Sequence, residues 1–501
     1  MIDRALANAR AIRAGTPPPV SPATPTAGAI GRVVAIGDPQ ASAERFFGAL
    51  RTNGVLGDDG WVRADTHLVT LGDYFDYLVA DRDAARIEGV LVLGWLAAHP
   101  PEQVTILCGN HDLARVMELA SVDDARFAEA AELGRQIREM SRRDRADGEA
   151  AFGQLFPDIA TSGYASRDYN AFTVEQRQLV QRLLLANRFT LALATHASDG
   201  TPVLLTHAGV TTRELGLLNM PDERDPVLIA FVLQARLAAA IAAVAADWRA
   251  GGNAPLSLEP LHVAGAAGRE GGGLLYHRPA DPDRPGADRS WEQADRGPRR
   301  FDPRSLPLGL VQIVGHTGHS KAASELARWR HPNTDEQRGG LRTLRAAPDG
   351  DVSYRRGIHR GNAEDAIVWL CDPEMHYVVS PAYVPVLDLA STPVASAPAR
   401  FRVRGQVHPS SLEELTEALA ALPFVPMPGL ELHWGELTIA RAVEVEPDYY
   451  PVHGWIASTR LEAIARVVLL ARTCEASDIP YRLALAHEDE THVLALCHPA
   501  A

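Results

Sequence analysis

Leu68-Val69-Thr70-Leu71-Gly72-Asp73-Tyr74-Phe75-Asp76 opens as a short apolar run and stops abruptly at a glycine and an aspartate. The run has the length and composition of a buried strand. Glycine lets the backbone turn sharply as it leaves the sheet. The carboxylate that follows then sits just outside the carboxyl edge of a sheet, where open α/β folds place their chemistry.

The same grammar recurs along the chain. Arg32-Val33-Val34-Ala35-Ile36 runs into Gly37-Asp38-Pro39-Gln40, and Val104-Thr105-Ile106-Leu107-Cys108 into Gly109-Asn110-His111-Asp112. Val203-Leu204-Leu205-Thr206 runs into His207-Ala208-Gly209, and Leu310-Val311-Gln312-Ile313-Val314 into Gly315-His316-Thr317-Gly318-His319. One such strand end is ordinary in an α/β protein. Five, all ending in carboxylate, amide or imidazole groups, predict a site that gathers metal ligands around Asp73.

In order, the motifs G-D-x-Q, G-D-x-x-D, G-N-H-D, H-A-G and G-H-T resemble those of the calcineurin-like metallophosphoesterases, across about residues 31 to 320. The H-A-G and G-H-T forms lean towards the phosphoprotein-phosphatase branch. The resemblance implies an α/β fold, a β-sandwich flanked by helices. It implies two divalent metal ions, manganese first, with iron, magnesium or zinc as the other choices. Asp38, Gln40 and Asp73 would hold one ion; Asp73, Asn110, His207 and His316 would hold the other. A metal-bound hydroxide would attack phosphorus. His111 takes the general-acid role, oriented and kept protonated by Asp76.

The same family brings an arginine to the phosphate, a task suited to the planar two-pronged guanidinium. Gly272-Gly273-Leu274-Leu275-Tyr276-His277-Arg278 resembles that segment, and Asp295-Arg296-Gly297 is a rival.

Three departures stand out. Gln40 replaces the usual histidine, and an amide oxygen is a weaker ligand for transition metals than imidazole. Tyr77 replaces an arginine and offers the phosphate one neutral donor. His319 follows His316 at a spacing of three rather than two, and is a further metal candidate.

The rest of the chain sets the bounds. Its 501 residues call for more than one core. A net charge of -14 argues against non-specific binding to nucleic acid or anionic lipid. Lys321 is the single lysine among 49 basic residues. Cys108, Cys371, Cys474 and Cys497 lie far apart without a C-x-x-C, which disfavours a thiolate zinc site. Cys108 and Cys371 read as buried free thiols. These, with no apolar leader in Met1 to Arg13, predict a cytoplasmic protein.

Residues 1–29 read as a flexible N-terminal arm, 30–390 as the main domain, and 113–200 as a helical insertion capping the site. Thr173-Val174-Glu175-Gln176 has capping-box form. Pro226 to Arg249 reads as a packing helix rather than a membrane span, because Gln234, Arg236 and Asp247 are costly in lipid. Val379 to Arg400 reads as a linker. Residues 401–501 read as a small α/β domain, ferredoxin-like in pattern, serving dimerisation or a protein partner.

The expected function is hydrolysis of a phosphomonoester on a phosphoprotein or small molecule. The alternatives are a nucleotide pyrophosphohydrolase or phosphodiesterase, and a regulatory module that binds metal or ligand with little turnover.

Overall fold

The computed structural model describes residues 1–22, 30–77, 82–266, 268–284, 297–332, 334 and 338–390, and chiefly the strands within 399–498. The chain is a mixed α/β protein of two compact units, Met1–Ser391 and Thr392–Ala501.

Two large sheets form the core of the first unit, beside two short two-stranded ones. One runs in the order Leu387–Leu389, Arg32–Ile36, Thr66–Thr70, Val104–Leu107, Phe189–Thr190, with all but the first strand parallel. The other runs Val352–Arg356, Arg342–Ala346, Ala366–Leu370, Val311–Val314, Pro202–Thr206, Ala192–His196. Its Ala366, Val311 and Pro202 strands are mutually parallel. Ala35, Val69 and Leu107 from the first sheet share a buried core with Leu205, Ile313 and Trp369 from the second. Each such aliphatic side chain contributes about 1.5–3 kcal/mol on burial. Three parallel strands from each sheet, those that carry these six side chains, therefore deliver their carboxyl ends to the rim of one core.

Between the Val104 strand and the Phe189 strand lie the helices Asp124–Glu139, Arg145–Leu155 and Val174–Leu185, and a wide turn at Tyr164–Asp168. The capping box forms as its sequence predicts. Thr173 Oγ1 accepts from the Gln176 amide at 3.2 Å, and Gln176 Oε1 accepts from the Thr173 amide at 3.2 Å. Pro226–Arg249 is one helix, and among the described residues it is the one long and apolar enough to cross a membrane by length and composition. It packs on the Ala192 and Pro202 strands. Its Gln234 is not wasted there, since Oε1 accepts from Thr190 Oγ1 at 2.7 Å and the Leu191 amide at 2.9 Å.

Two expectations need correction. Residues 1–29 are not simply an arm, because Ile2–Arg13 is a helix packed on the helices Ala43–Thr52 and Arg82–Ala97. Ala5, Asn8 and Ala9 form its buried stripe, a spacing too short and weakly apolar to register in the sequence. The segment Val379 to Arg400 is more than a linker. Leu387–Leu389 adds an antiparallel edge strand, with Arg32 Nε paired to Asp388 at 2.7 Å.

The second unit carries a seven-stranded antiparallel sheet rather than a four-stranded ferredoxin-like one. Ala399–Val407 lies between Tyr450–Ser458 and Tyr481–His487, and Tyr481–His487 pairs in turn with His492–His498. Glu431–Trp434 and Leu437–Ala440 form the expected hairpin. The sequence pattern also predicts helices from Ser410 and over Ser458 to Cys474, and these lie largely outside the described residues.

Candidate metal centre

The parallel strand ends bring Asp38, Asp73, Asn110, His111, His207 and His316 to one place. Asp73, His207 and His316 form a buried triad whose ligand atoms lie within 4.8 Å of one another, a group that could hold a metal ion.

The backbone there is held in costly conformations. Asp73, Asp76 and His316 have φ of 60°, 64° and 58°. Each left-handed non-glycine residue costs about 1–3 kcal/mol, and such strain gathers at functional sites. Asp112 accounts for one of these turns. Its carboxylate accepts from the amides of Asp73 at 2.8 Å, Tyr74 at 3.0 Å and Gly109 at 2.7 Å, pinning two strand ends together. Gly109 and Gly315 are demanded by close approach. A Cβ on Gly109 would lie 2.2 Å from Asp73 Oδ1, and one on Gly315 would lie 2.0 Å from Asp38 Oδ1.

Hydrogen bonds fix the imidazoles. His207 Nδ1 donates to the Leu71 carbonyl at 2.7 Å, and His316 Nε2 donates to the Tyr276 carbonyl at 2.9 Å. The opposite nitrogens, His207 Nε2 and His316 Nδ1, then face each other at 3.2 Å. Asn110 Oδ1 is 3.1 Å from His207 Nε2, and Asp73 Oδ2 is 3.4 Å from it. Four lone-pair donors converge; one proton on His207 serves one of its three neighbours, and Arg278 Nη2 lies 3.4 Å from His316 Nδ1. A divalent cation can satisfy all four, so this donor set fits a metal of the kind that takes nitrogen and oxygen ligands.

Charge tells the same story. Burial lowers the His207 imidazole, but Asp73 outweighs burial and carries it up to about 9. Burial favours the neutral Asp73 carboxyl, yet His207 and His111 hold it below the ordinary carboxylate range. Burial, then Arg278, push His316 well below its ordinary value. Burial, then Asp372, push Asp38 well above the carboxylate range. Both Asp38 oxygens accept from the His316 amide, at 3.0 and 2.9 Å. Gln40 is anchored by its nitrogen, which donates to the Phe75 carbonyl at 2.9 Å, so its oxygen is the end left to bind a cation.

His111 is the member with an accessible edge, its side chain 16% exposed. Nδ1 lies 3.0 Å from Asp76, and Nε2 lies 4.0 Å from Asp73. Asp76 is itself held by Arg115 at 2.8 Å and by the Ala171 amide at 3.0 Å. Ala171 belongs to the helical insertion, as does Tyr169, whose ring stands 4.9 Å from His111 and whose hydroxyl bonds Asn110. The insertion thus supports the site directly.

The remaining expectations divide. Arg278 reaches the site, its Nε donating to the His316 carbonyl at 3.3 Å. His319 turns away to Tyr354, with Nδ1 2.7 Å from the hydroxyl, because the helix His319–Glu325 begins there. Tyr77 is buried with Ala85 and Ala171, its ring 5.0 Å from His376. Arg296 lies outside the described residues.

Sequence reading missed Asp112, Arg115, Tyr169 and Asp372. Asp372 lies two residues past the end of the Ala366–Leu370 strand, and burial followed by Glu374 raises its carboxyl to about 6. Its signal was available: Cys371-Asp372 closes an apolar run as Gly37-Asp38 does, without the glycine. Cys108 and Cys371 are buried free thiols, as expected.

No family model and no curated relative matches the chain. Among solved structures, a cold-active protein tyrosine phosphatase aligns at 12% identity over 70% of this chain and 72% of its own, with a TM-score of 0.29. The cold-active protein-tyrosine phosphatase of a psychrophilic Shewanella species aligns at 13% identity over 70% and 73%, also at 0.29. Scores this low carry no argument about this chain.

Proposed function

We propose that this chain is a dinuclear-metal-dependent phosphoester hydrolase of the calcineurin-like metallophosphoesterase type, acting first on phosphomonoesters. The supporting observation is the convergence of His207 Nε2, His316 Nδ1, Asn110 Oδ1 and Asp73 Oδ2 in one buried cluster.

Asp73, Asn110, His207 and His316 would hold one ion, and Asp38, Gln40 and Asp73 the other. Divalent ions there would supply the charge that lowers the pKa of water towards about 7 and steadies charge building on phosphoryl oxygens. His111 stands at the open edge with Nδ1 committed to Asp76, so Nε2 is the nitrogen that presents a proton to the leaving oxygen. Burial lowers its pKa, but Asp73 and Asp76 outweigh that and raise it, which favours the protonated form. Arg278 offers the guanidinium that orients the phosphoryl group.

An assay with Mn²⁺ on an aryl phosphomonoester, an aryl phosphodiester and a dinucleoside polyphosphate, side by side, tests this. The monoester should turn over fastest, and Asp73→Asn should lose all turnover. A faster dinucleotide would move the reading to a pyrophosphohydrolase. Bound metal with no turnover on any of the three would leave only a binding module.

A further inference from the structure

The chain uses arginine at every basic position but one, Lys321. That lysine lies five residues after His316, on the helix His319–Glu325, which packs against the Arg278–Pro279 strand. The Asp281 amide ties the two elements together by donating to the Glu325 carbonyl at 3.0 Å. Lys321 is exposed at the surface with its ammonium crowded by surrounding groups, and the charges that act on it are Arg278, Asp372, Asp168 and Glu374. Arg278 acts most strongly, ahead of desolvation, and draws the ammonium down to about 8 while leaving it mostly protonated at neutral pH.

Neither cation is neutralised. Among the described residues, no carboxylate lies within ion-pair range of Lys321 or Arg278, and the nearby acids are engaged elsewhere. Glu374 accepts from the Ser320 amide at 2.9 Å and from its hydroxyl. Asp168 pairs with Arg167 at 2.7 Å. Asp372 accepts from the Glu374 amide at 2.7 Å. The residual attraction from Asp38, Asp73 and Asp372 reaches Arg278 only at longer range. Divalent ions held by Asp38 and Asp73 would offset their share of that field and leave two like charges acting on each other. An anion with several oxygens removes the conflict. The arginine fork takes two oxygens, and an ammonium takes a third as a point charge.

We propose that Lys321 is a phosphoryl-binding residue that works with Arg278, supplying the second cation that the sequence lacks where Tyr77 stands. The inference rests on the phosphoester reading of the same site and names the group that holds the substrate.

The single lysine allows a chemical test. Pyridoxal 5′-phosphate followed by borohydride marks ε-amines, and peptide mapping separates Lys321 from the terminal α-amine. With Mn²⁺ present, inorganic phosphate should protect Lys321 and leave the terminal label unchanged. Lys321→Gln should raise KM for an aryl phosphate and Ki for inorganic phosphate about tenfold or more. Metal content should be unchanged, and Lys321→Arg should recover most of the loss. Full labelling of Lys321 under saturating phosphate, or an unaltered Ki in Lys321→Gln, overturns the proposal. Protection without turnover on any substrate sustains this anion site and contradicts the hydrolase alone. Turnover that Lys321→Gln does not change contradicts this inference alone.

Discussion

Nδ1 of His111 lies 3.0 Å from Oδ2 of Asp76, the oxygen that also takes Nη2 of Arg115 at 2.8 Å. One carboxylate thus orients the proposed acid while a buried guanidinium fixes the carboxylate. The acid loses its ring tumbling, and its other nitrogen is left facing outward.

His111→Ala should lower kcat by about 100-fold or more on a substrate with a poor leaving group, the usual cost of a lost general acid. The deficit should shrink on a nitrophenyl ester, whose departure needs little protonation. Steady-state rates on an alkyl and a nitroaryl phosphate check this, and equal deficits on both would remove the acid role.

Arg115 is fully buried and meets Asp76, Gln176 and the His111 carbonyl. Arg115→Met keeps the volume but leaves Asp76 charged and short of a partner. Removing one member of a buried pair costs about 3–5 kcal/mol. Urea unfolding should show a loss of that order, together with a lower kcat. A stability within about 0.5 kcal/mol of the parent would show that the guanidinium is not needed there.

Three glycines separate packing from chain entropy. Gly315→Ala and Gly109→Ala press a methyl onto Asp38 and Asp73, so metal content should fall in both. Gly153, in the helix Arg145–Leu155, has nothing within 4 Å of its missing Cβ. Gly153→Ala should stabilise by about 0.5–1 kcal/mol through helix propensity and leave metal content intact. Metal analysis beside thermal melts reads all three.

His99 gives a pH signature away from the site. It stacks edge-on with Trp61 and Trp95, Nδ1 meets the Trp95 carbonyl at 3.0 Å, and Nε2 accepts from the Val62 amide at 3.1 Å. Burial lowers its pKa to about 4, against an ordinary value of 6.5. The unfolded chain therefore binds the proton more readily. This residue's stability contribution is complete above about 6.5 and is lost as pH falls towards about 4. Between pH 7.5 and pH 5 it should lose about 2 kcal/mol. His99→Gln, neutral throughout, should show a shallower fall in unfolding free energy over that interval. Parallel slopes would contradict the assignment.

The strand ends that carry the proposed ligands were legible because each repeats an apolar run closed by a polar side chain, most with a glycine beside it. That grammar is local, so Asp38, Asp73, Asn110, His207 and His316 could be read without the fold. Arg115 and Tyr169 have no such grammar. They reach the site from a helical turn and an insertion, and only tertiary packing aims them at Asp76 and Asn110. His319 shows the opposite failure: its spacing suggested a ligand, but the helix that starts there rotates it to Tyr354. The Ile2–Arg13 helix escaped because alanine and asparagine bury too little to mark a face.

Manganese-edge anomalous scattering from a crystal soaked in Mn²⁺ tests the central claim most directly. The account predicts a peak in contact with Asp73, Asn110, His207 and His316, and a second, of equal or lower occupancy, shared by Asp73, Asp38 and Gln40. Intact side chains in the same arrangement with no anomalous peak touching Asp73 would contradict it.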